Sequence, residues 1–212
     1  MARSASEQRR KILEAAVAAF AQHGRRGATT RMVGRRAGVN SALIYYYFEN
    51  KDTLFAEAIG FVLGGLLERM GAARRPFVGA RDRLDWLIEQ LFGYYTAHPE
   101  RMRLMAIALS LHPELFGKTL SGFLPGQTLV PIEVLAEGIG CGDLRKTHPM
   151  TMWWSIMGLC LFSLLLNPAL PHLHPRGLPL PPMDLPSRRA QILELLLNGL
   201  VRPAKGDPKN ES

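Results

Sequence analysis

Between Glu7 and His23 the apolar residues Ile12, Leu13, Ala16, Val17 and Phe20 recur three and four positions apart, the spacing that lays one face of an α-helix against a core. Arg9, Arg10 and Lys11 open this helix, and Gly24 stops it, because glycine takes the left-handed conformation without steric cost. After the loop Arg25-Arg26-Gly27-Ala28, Thr29 is a suitable N-cap for a short helix to about Arg36, with Met32, Val33 and Ala37 on its inner stripe. The turn Ala37-Gly38-Val39 places Gly38 where a positive φ is needed. A second short helix then runs to Tyr47, capped by Asn40 or Ser41. Two short helices around a glycine turn predict a helix-turn-helix, and the small Gly34 lets the pair approach closely.

Asn50 caps a fourth helix with Asp52 near its positive end, and Leu54, Phe55, Ala58, Val62 and Leu66 continue one face to about Ala73. Arg74-Arg75-Pro76 interrupts it. Further helical patterns cover Arg81 to Ala97, Pro99 to Leu111, Pro131 to Ile139, Pro149 to Leu166 and Leu185 to Leu200. Pro99 and Pro149 stand where a first-turn proline is tolerated. No alternating strand pattern and no internal repeat is present, so the expected fold is all-α. From Asn167 to Pro186 seven prolines predict an extended connector in place of regular helix. The tail from Pro203 to Ser212 is polar, a composition that predicts fraying.

Composition supports a packed chain: 47% of the 212 residues are hydrophobic and 21% charged. The length suits a compact body with a modest appended module. Cys141 and Cys160 are too few for a disulfide scaffold or a four-cysteine zinc site, which points to the reducing cytoplasm. The charged N-terminus lacks the apolar core of a secretory signal. Met150 to Leu166 is uncharged but just short of the usual ~18-residue membrane minimum. It is read as a helix buried in the body or in an oligomer interface, with no membrane partner.

Charge changes the picture more. Residues 1–51 hold ten basic residues (Arg3, Arg9, Arg10, Lys11, Arg25, Arg26, Arg31, Arg35, Arg36, Lys51) against Glu7, Glu14 and Glu49, so seven of the eight net positive charges lie there. A basic module ahead of a near-neutral apolar body fits a polyanion, with nucleic acid first, at one end. A solvated basic face would give the same count, so charge alone does not decide between them.

The run from Thr29 to Leu54, TTRMVGRRAGVNSALIYYYFENKDTL, resembles the DNA-binding segment of TetR-type transcriptional repressors. The likeness spans about residues 7–66, with the helix-turn-helix at about 29–48. Gly34 stands where the family more often has Ala, and Tyr47 where His is common. The resemblance implies an N-terminal three-helix DNA-binding domain (1–50), a C-terminal helical effector-binding and dimerisation domain (51–202) and a flexible tail (203–212). It also implies a homodimer on double-stranded operator DNA, with a small-molecule effector and no cofactor. By position it implicates Thr30, Arg31, Ser41, Ala42, Leu43, Tyr45, Tyr46, Tyr47 and Lys51 in DNA contact. The chemistry suits those roles: Arg31 can fork onto phosphate or guanine, Ser41 can bond a phosphate or base edge, and Ala42 and Leu43 can touch thymine methyls. Tyrosine offers an apolar ring with a hydroxyl for phosphate, and Lys51 adds charge beside a helix N-terminus. Ile44 and Phe48 are read as core, at least one of the three tyrosines as packed inward, and Arg35 and Arg36 as solvated helix charges.

The second half is rich in Trp, Met, Leu and Phe. A ligand cavity there would be walled by Trp86, Met102, Met105, Trp153 and Met157 and suit a flat or lipophilic molecule, although ordinary core packing explains most such residues. His98, His112, His148 and Glu133 are polar groups able to orient a ligand. The helices 149–166 and 185–200 are too apolar to face water all round, and pairing them with a second copy would give a four-helix interface in which Ser155, Gly158, Cys160 and Ser163 allow close approach. An enzyme is the rival class, but the sequence has no metal-ligand spacing, phosphate-binding glycine loop or nucleophile elbow, and His172-Leu173-His174 in a proline-rich stretch is a poor metal site. A DNA binder controlled by a protein partner is the other rival.

Overall fold

The computed structural model describes residues 2–127, 129–172 and 184–200. Among these the chain is all-α: α1 (Ala2–Gly27), α2 (Thr30–Ala37), α3 (Ser41–Tyr47), α4 (Lys51–Ala72), α5 (Gly79–Ala97), α6 (Pro99–Leu111), α7 (Pro113–Phe123), α8 (Val130–Gly140), α9 (Pro149–Leu166) and α10 (Leu185–Leu200). The cap residues act as the sequence expects. Thr29 Oγ1 accepts the Met32 N–H at 3.2 Å, Asn40 Oδ1 the Leu43 N–H at 2.8 Å, and Asn50 Oδ1 the Asp52 and Thr53 N–H groups at 2.9 Å each. Gly24 and Gly38 take φ of 66° and 70°. At Gly24 the chain kinks without leaving the helix for good, and Arg25–Gly27 add a further turn.

Three findings depart from the sequence reading. The stretch after His112 is a full helix, α7, which the hydrophobic pattern did not reveal. Asn167–His172 is a 3-10 helix, because Pro168 and Pro171 hold φ near the helical value and each removes a single donor. That turn lengthens the apolar rod to Pro149–Leu170, 22 residues, long and apolar enough to cross a membrane by length and composition. The rest of the expected connector, the His172-Leu173-His174 run beyond His172, and the tail lie outside the described residues.

The chain divides into two compact units, residues 1–68 with 95–128 and residues 69–94 with 129–212. In the first, Ile12, Ala16 and Phe20 of α1, Val33, Ile44, Phe48, and Leu54, Phe55, Ala58 and Ile59 of α4 are almost wholly buried, with Leu104 and Ala108 of α6. Phe20 and Phe55 meet edge to face at 4.9 Å. In the second, Leu84, Leu87, Ile88 and Leu91 of α5, Val134 and Leu135 of α8, Ile156 and Cys160 of α9, and Ile192 and Leu196 of α10 are buried, with α9 packed against both α8 and α10.

Polar groups tie the second unit together. The buried Arg83 donates to the Val134 carbonyl at 2.9 Å and lies 5.1 Å from the Phe77 ring centre. A Cβ at residue 138 would stand 2.8 Å from side-chain atoms of Arg83 and Leu144, so a larger residue there would force those side chains to shift. Arg189 pairs with Asp85 and Glu89. Asp82 is held well below the usual carboxylate range by its hydrogen bonds from Arg75 and the Val78 N–H. The buried Cys160 thiol is pushed up to about 12 by desolvation, so it behaves as an apolar core group.

Candidate nucleic-acid interface

The helix-turn-helix presents α3 with two distinct sides. Ile44, with Phe48 just beyond the helix, is 1% exposed and roots it in the first unit, while Tyr46 is 79% and Tyr45 54% exposed. Ala42 is also exposed; Ser41, Leu43 and Tyr47 are half-buried. The inward tyrosine is therefore Tyr47, whose ring meets Tyr46 edge to face at 5.2 Å. Thr30 opens α2 with its Oγ1 3.4 Å from the Tyr45 hydroxyl, which links the start of α2 to the second half of α3. Arg31, Arg35 and Arg36 are exposed. No methyl fits at Gly34: its Cβ would lie 2.7 Å from the Val39 carbonyl oxygen. Glycine therefore sets a tight turn here.

Lys51 has partners within the chain that the sequence did not suggest. Its ammonium donates to the carbonyl oxygens of Arg26 (3.3 Å) and Ala28 (3.2 Å), so it caps the end of α1 while one N–H remains for another acceptor. Arg25 supports the same corner through two hydrogen bonds to Asp52 Oδ1, at 3.0 and 2.6 Å. Arg9 lies 5.3 Å from the Phe48 ring centre and pairs with Glu57. These two arginines were not singled out in the sequence, because 27 and 48 residues separate Arg25 from Asp52 and Arg9 from Glu57 and no local period connects them. Together they tie α1 to Phe48, just beyond α3, and to α4.

The residues expected to line a ligand cavity are placed less uniformly. Met102 and Met105 lie buried in the first unit; Trp86 and Trp153 are buried and Met157 half-buried in the second. Trp86 is also a structural anchor, since its indole N–H donates to the Ala73 carbonyl at 3.2 Å and its ring meets Phe77. His98 pairs with Glu100, His148 caps α9 and Glu133 pairs with Arg74. His112 lies edge-on to Phe55 at 5.5 Å. It borders an open notch of about 420 Å³ with Arg25, Asp52, Leu115 and Lys118.

An exposed, tyrosine-bearing helix held by a second helix in a basic three-helix bundle defines a helix-turn-helix DNA-binding regulator. Residues 12–58 match the family described as bacterial regulatory proteins, tetR family. The transcriptional repressor NicS of Pseudomonas putida is 29% identical over 168 residues, covering 76% of this chain and 77% of its own. The repressor SCO4008 of Streptomyces coelicolor is 36% identical over 104 residues, covering 49% and 50%. The crystal structure of FadR from Bacillus subtilis in complex with stearoyl-CoA shares the fold at a TM-score of 0.70 and 21% identity, over 89% of this chain and 97% of its own. FadR from Bacillus halodurans superposes at 0.71 with 20% identity, over 91% and 95%. Residues 12–58 of the chain thus match the tetR family of bacterial regulatory proteins, and the fold of the whole chain is shared with the two FadR structures.

Proposed function

We propose that the protein is a homodimeric repressor that a small lipophilic molecule releases from its operator. The observation that carries the reading is the outward side of α3, with two adjacent, highly exposed tyrosines and Ala42, together with an exposed Arg31 on α2. Large exposed aromatic rings raise the free energy of a monomer in water, and major-groove edges and phosphates are surfaces that use both ring and hydroxyl. In this reading residues 1–50 bind DNA and 51–202 hold effector and partner copy, with Thr30, Arg31, Ser41, Ala42, Leu43, Tyr45, Tyr46, Tyr47 and Lys51 as the contact set. Two recognition helices enter successive major grooves about 34–36 Å apart. An effector that binds better to the body with another spacing lowers operator affinity by that difference in binding.

The apolar content of the second half supports a lipophilic effector, and the stearoyl-CoA of the Bacillus subtilis FadR complex makes a long-chain acyl thioester the first probe. The test is a selection of genomic fragments by the purified protein across dilute to moderate salt, followed by titration of acyl thioesters into the operator complex. Enrichment of defined sites is the expected result. No preferred fragment at any salt overturns DNA recognition, and a bound thioester that leaves the complex intact overturns release by that class.

A further inference from the structure

The helix that follows the reader carries an unusual segment, Gly60-Phe61-Val62-Leu63-Gly64-Gly65. Gly60 and Gly64 are one turn apart and share a face, and both look onto one side chain, Phe123 at the end of α7. A Cβ at 60 would lie 3.8 Å from Phe123 Cδ2, and one at 64 would lie 3.6 and 3.7 Å from Cζ and Cε2. These are ordinary van der Waals separations. Alanine would fit at both positions, in contrast with Gly34, where a Cβ meets a carbonyl oxygen at 2.7 Å. Neither glycine has a positive φ. Packing and backbone geometry therefore leave the two glycines unexplained.

What glycine does supply inside a helix is softness, since it is the weakest helix former after proline. The opposite face of α4 is firmly seated, with Phe55, Ala58, Ile59 and Val62 at 0% exposure. The soft face is covered instead by a half-buried ring borne on α7, a helix with no buried residue. A ring on a lightly held helix is easily displaced.

We propose that Gly60 and Gly64 form a compliant joint in α4 and that Phe123 is the positioning residue that holds it straight, fixing the reader at its start. With the ring seated, Lys51, Asp52 and α3 keep one orientation; with the ring withdrawn, α4 bends and that orientation broadens. The inference rests on α3 being the DNA reader and adds the device by which its position is set.

The test uses the full chain in four forms: wild type, Phe123→Ala, Gly60→Ala with Gly64→Ala, and all three changes together. Amide hydrogen exchange over residues 57–68 is followed on the free protein, and affinity is measured for an operator fragment selected by the wild type. Phe123→Ala should quicken that exchange by about tenfold or more and weaken operator binding by about tenfold. The two alanines alone should slow exchange, and in the triple variant they should restore both quantities most of the way. A ring that serves only as packing would give no such rescue, because the alanines replace none of its bulk. Phe123→Leu, which keeps apolar volume without the flat ring, should show the same changes more weakly if Phe123→Ala does not fold. Unchanged exchange in the Phe123 variants overturns the joint; faster exchange with unchanged operator affinity overturns its role in positioning. A wild type with no preferred fragment fails the DNA-binding reading, whereas the exchange measurement still decides whether the ring holds the helix.

Discussion

In the proposed DNA interface Tyr46 and Lys51 separate two ways in which one residue could serve. The Tyr46 ring is 79% exposed and touches only Tyr47 among the ring contacts of α3, so Tyr46→Ala should weaken operator binding without lowering the unfolding midpoint or dimerisation. Lys51 holds two carbonyls at the end of α1. Lys51→Ala should therefore destabilise the fold, by about 0.5–1.5 kcal/mol per lost hydrogen bond, and also weaken binding and flatten its salt dependence by about one phosphate contact. Parallel melting curves and salt titrations distinguish the two, and unchanged affinity in both variants removes them from the interface. His112 carries a prediction of a different kind. Burial first, then the charges of Arg25 and Arg26, hold its imidazole below the ordinary value, with Asp52 opposing them. The folded state thus binds fewer protons than the unfolded state just below pH ~6.5. The contribution of His112 is intact above that pH and is lost as pH falls toward the lowered folded value. His112→Phe, which keeps an edge contact with Phe55, should flatten the fall in stability with acid over that window, read as the difference between the two chemical-denaturation series. Parallel series would show that His112 does not govern it.

At the level of elements, α3 is seven residues long, too short to stand alone in water, so its existence depends on its ends and its buried root. Asn40 supplies the first cap and Ile44 with Phe48 the root. Asn40→Ala should cost about 1 kcal/mol and lower operator affinity more than it lowers the midpoint, because fraying begins beside Ser41 and Ala42. Equal affinity for wild type and variant would show that DNA contact does not need the first turn. The same caps explain why this region was legible in the sequence: Thr29, Gly38, Asn40 and Asn50 each announce a boundary by local chemistry. The exposure of two of the three tyrosines of α3 follows from a related constraint, since one short helix leaves few positions able to face inward. Helix α7 was hidden because Gly117, Ser121 and Gly122 dilute its period and none of its residues is buried. The arginine ties of Arg9 and Arg25, the tether of Lys51 and the seat of Phe123 on α4 are long-range contacts, which no hydrophobic period encodes.

On the scale of the whole molecule, the feature with the largest consequence is the outer face of α9. Its inner side is settled within the second unit: Met152, Ile156 and Cys160 are buried, and Ser163 accepts a hydrogen bond from Arg188 at 2.9 Å. Cys160 and Ser163 are therefore turned away from any contact between copies, contrary to the sequence expectation, and Ser155 and Gly158 remain as its small exposed residues. Around them Trp154 is 63%, Phe162 64% and Leu165 43% exposed, and Leu195 of α10 is 58% exposed. Such apolar rings in water favour burial against another surface, and a two-fold pairing of α9 and α10 with the same helices of a second copy covers them in the proposed dimer. Because these side chains are already exposed in a single chain, Trp154→Glu with Phe162→Glu should leave helicity intact and yield a monomer by light scattering. The monomer should lose the gain from binding two half-sites at once, a drop in operator affinity on the order of 100-fold, while binding to a lone half-site stays as it was. A variant that remains dimeric would place the interface elsewhere. Flotation of the wild type with lipid vesicles, abolished by the same two changes, would instead assign this face, within a rod long enough to span a bilayer, to a membrane.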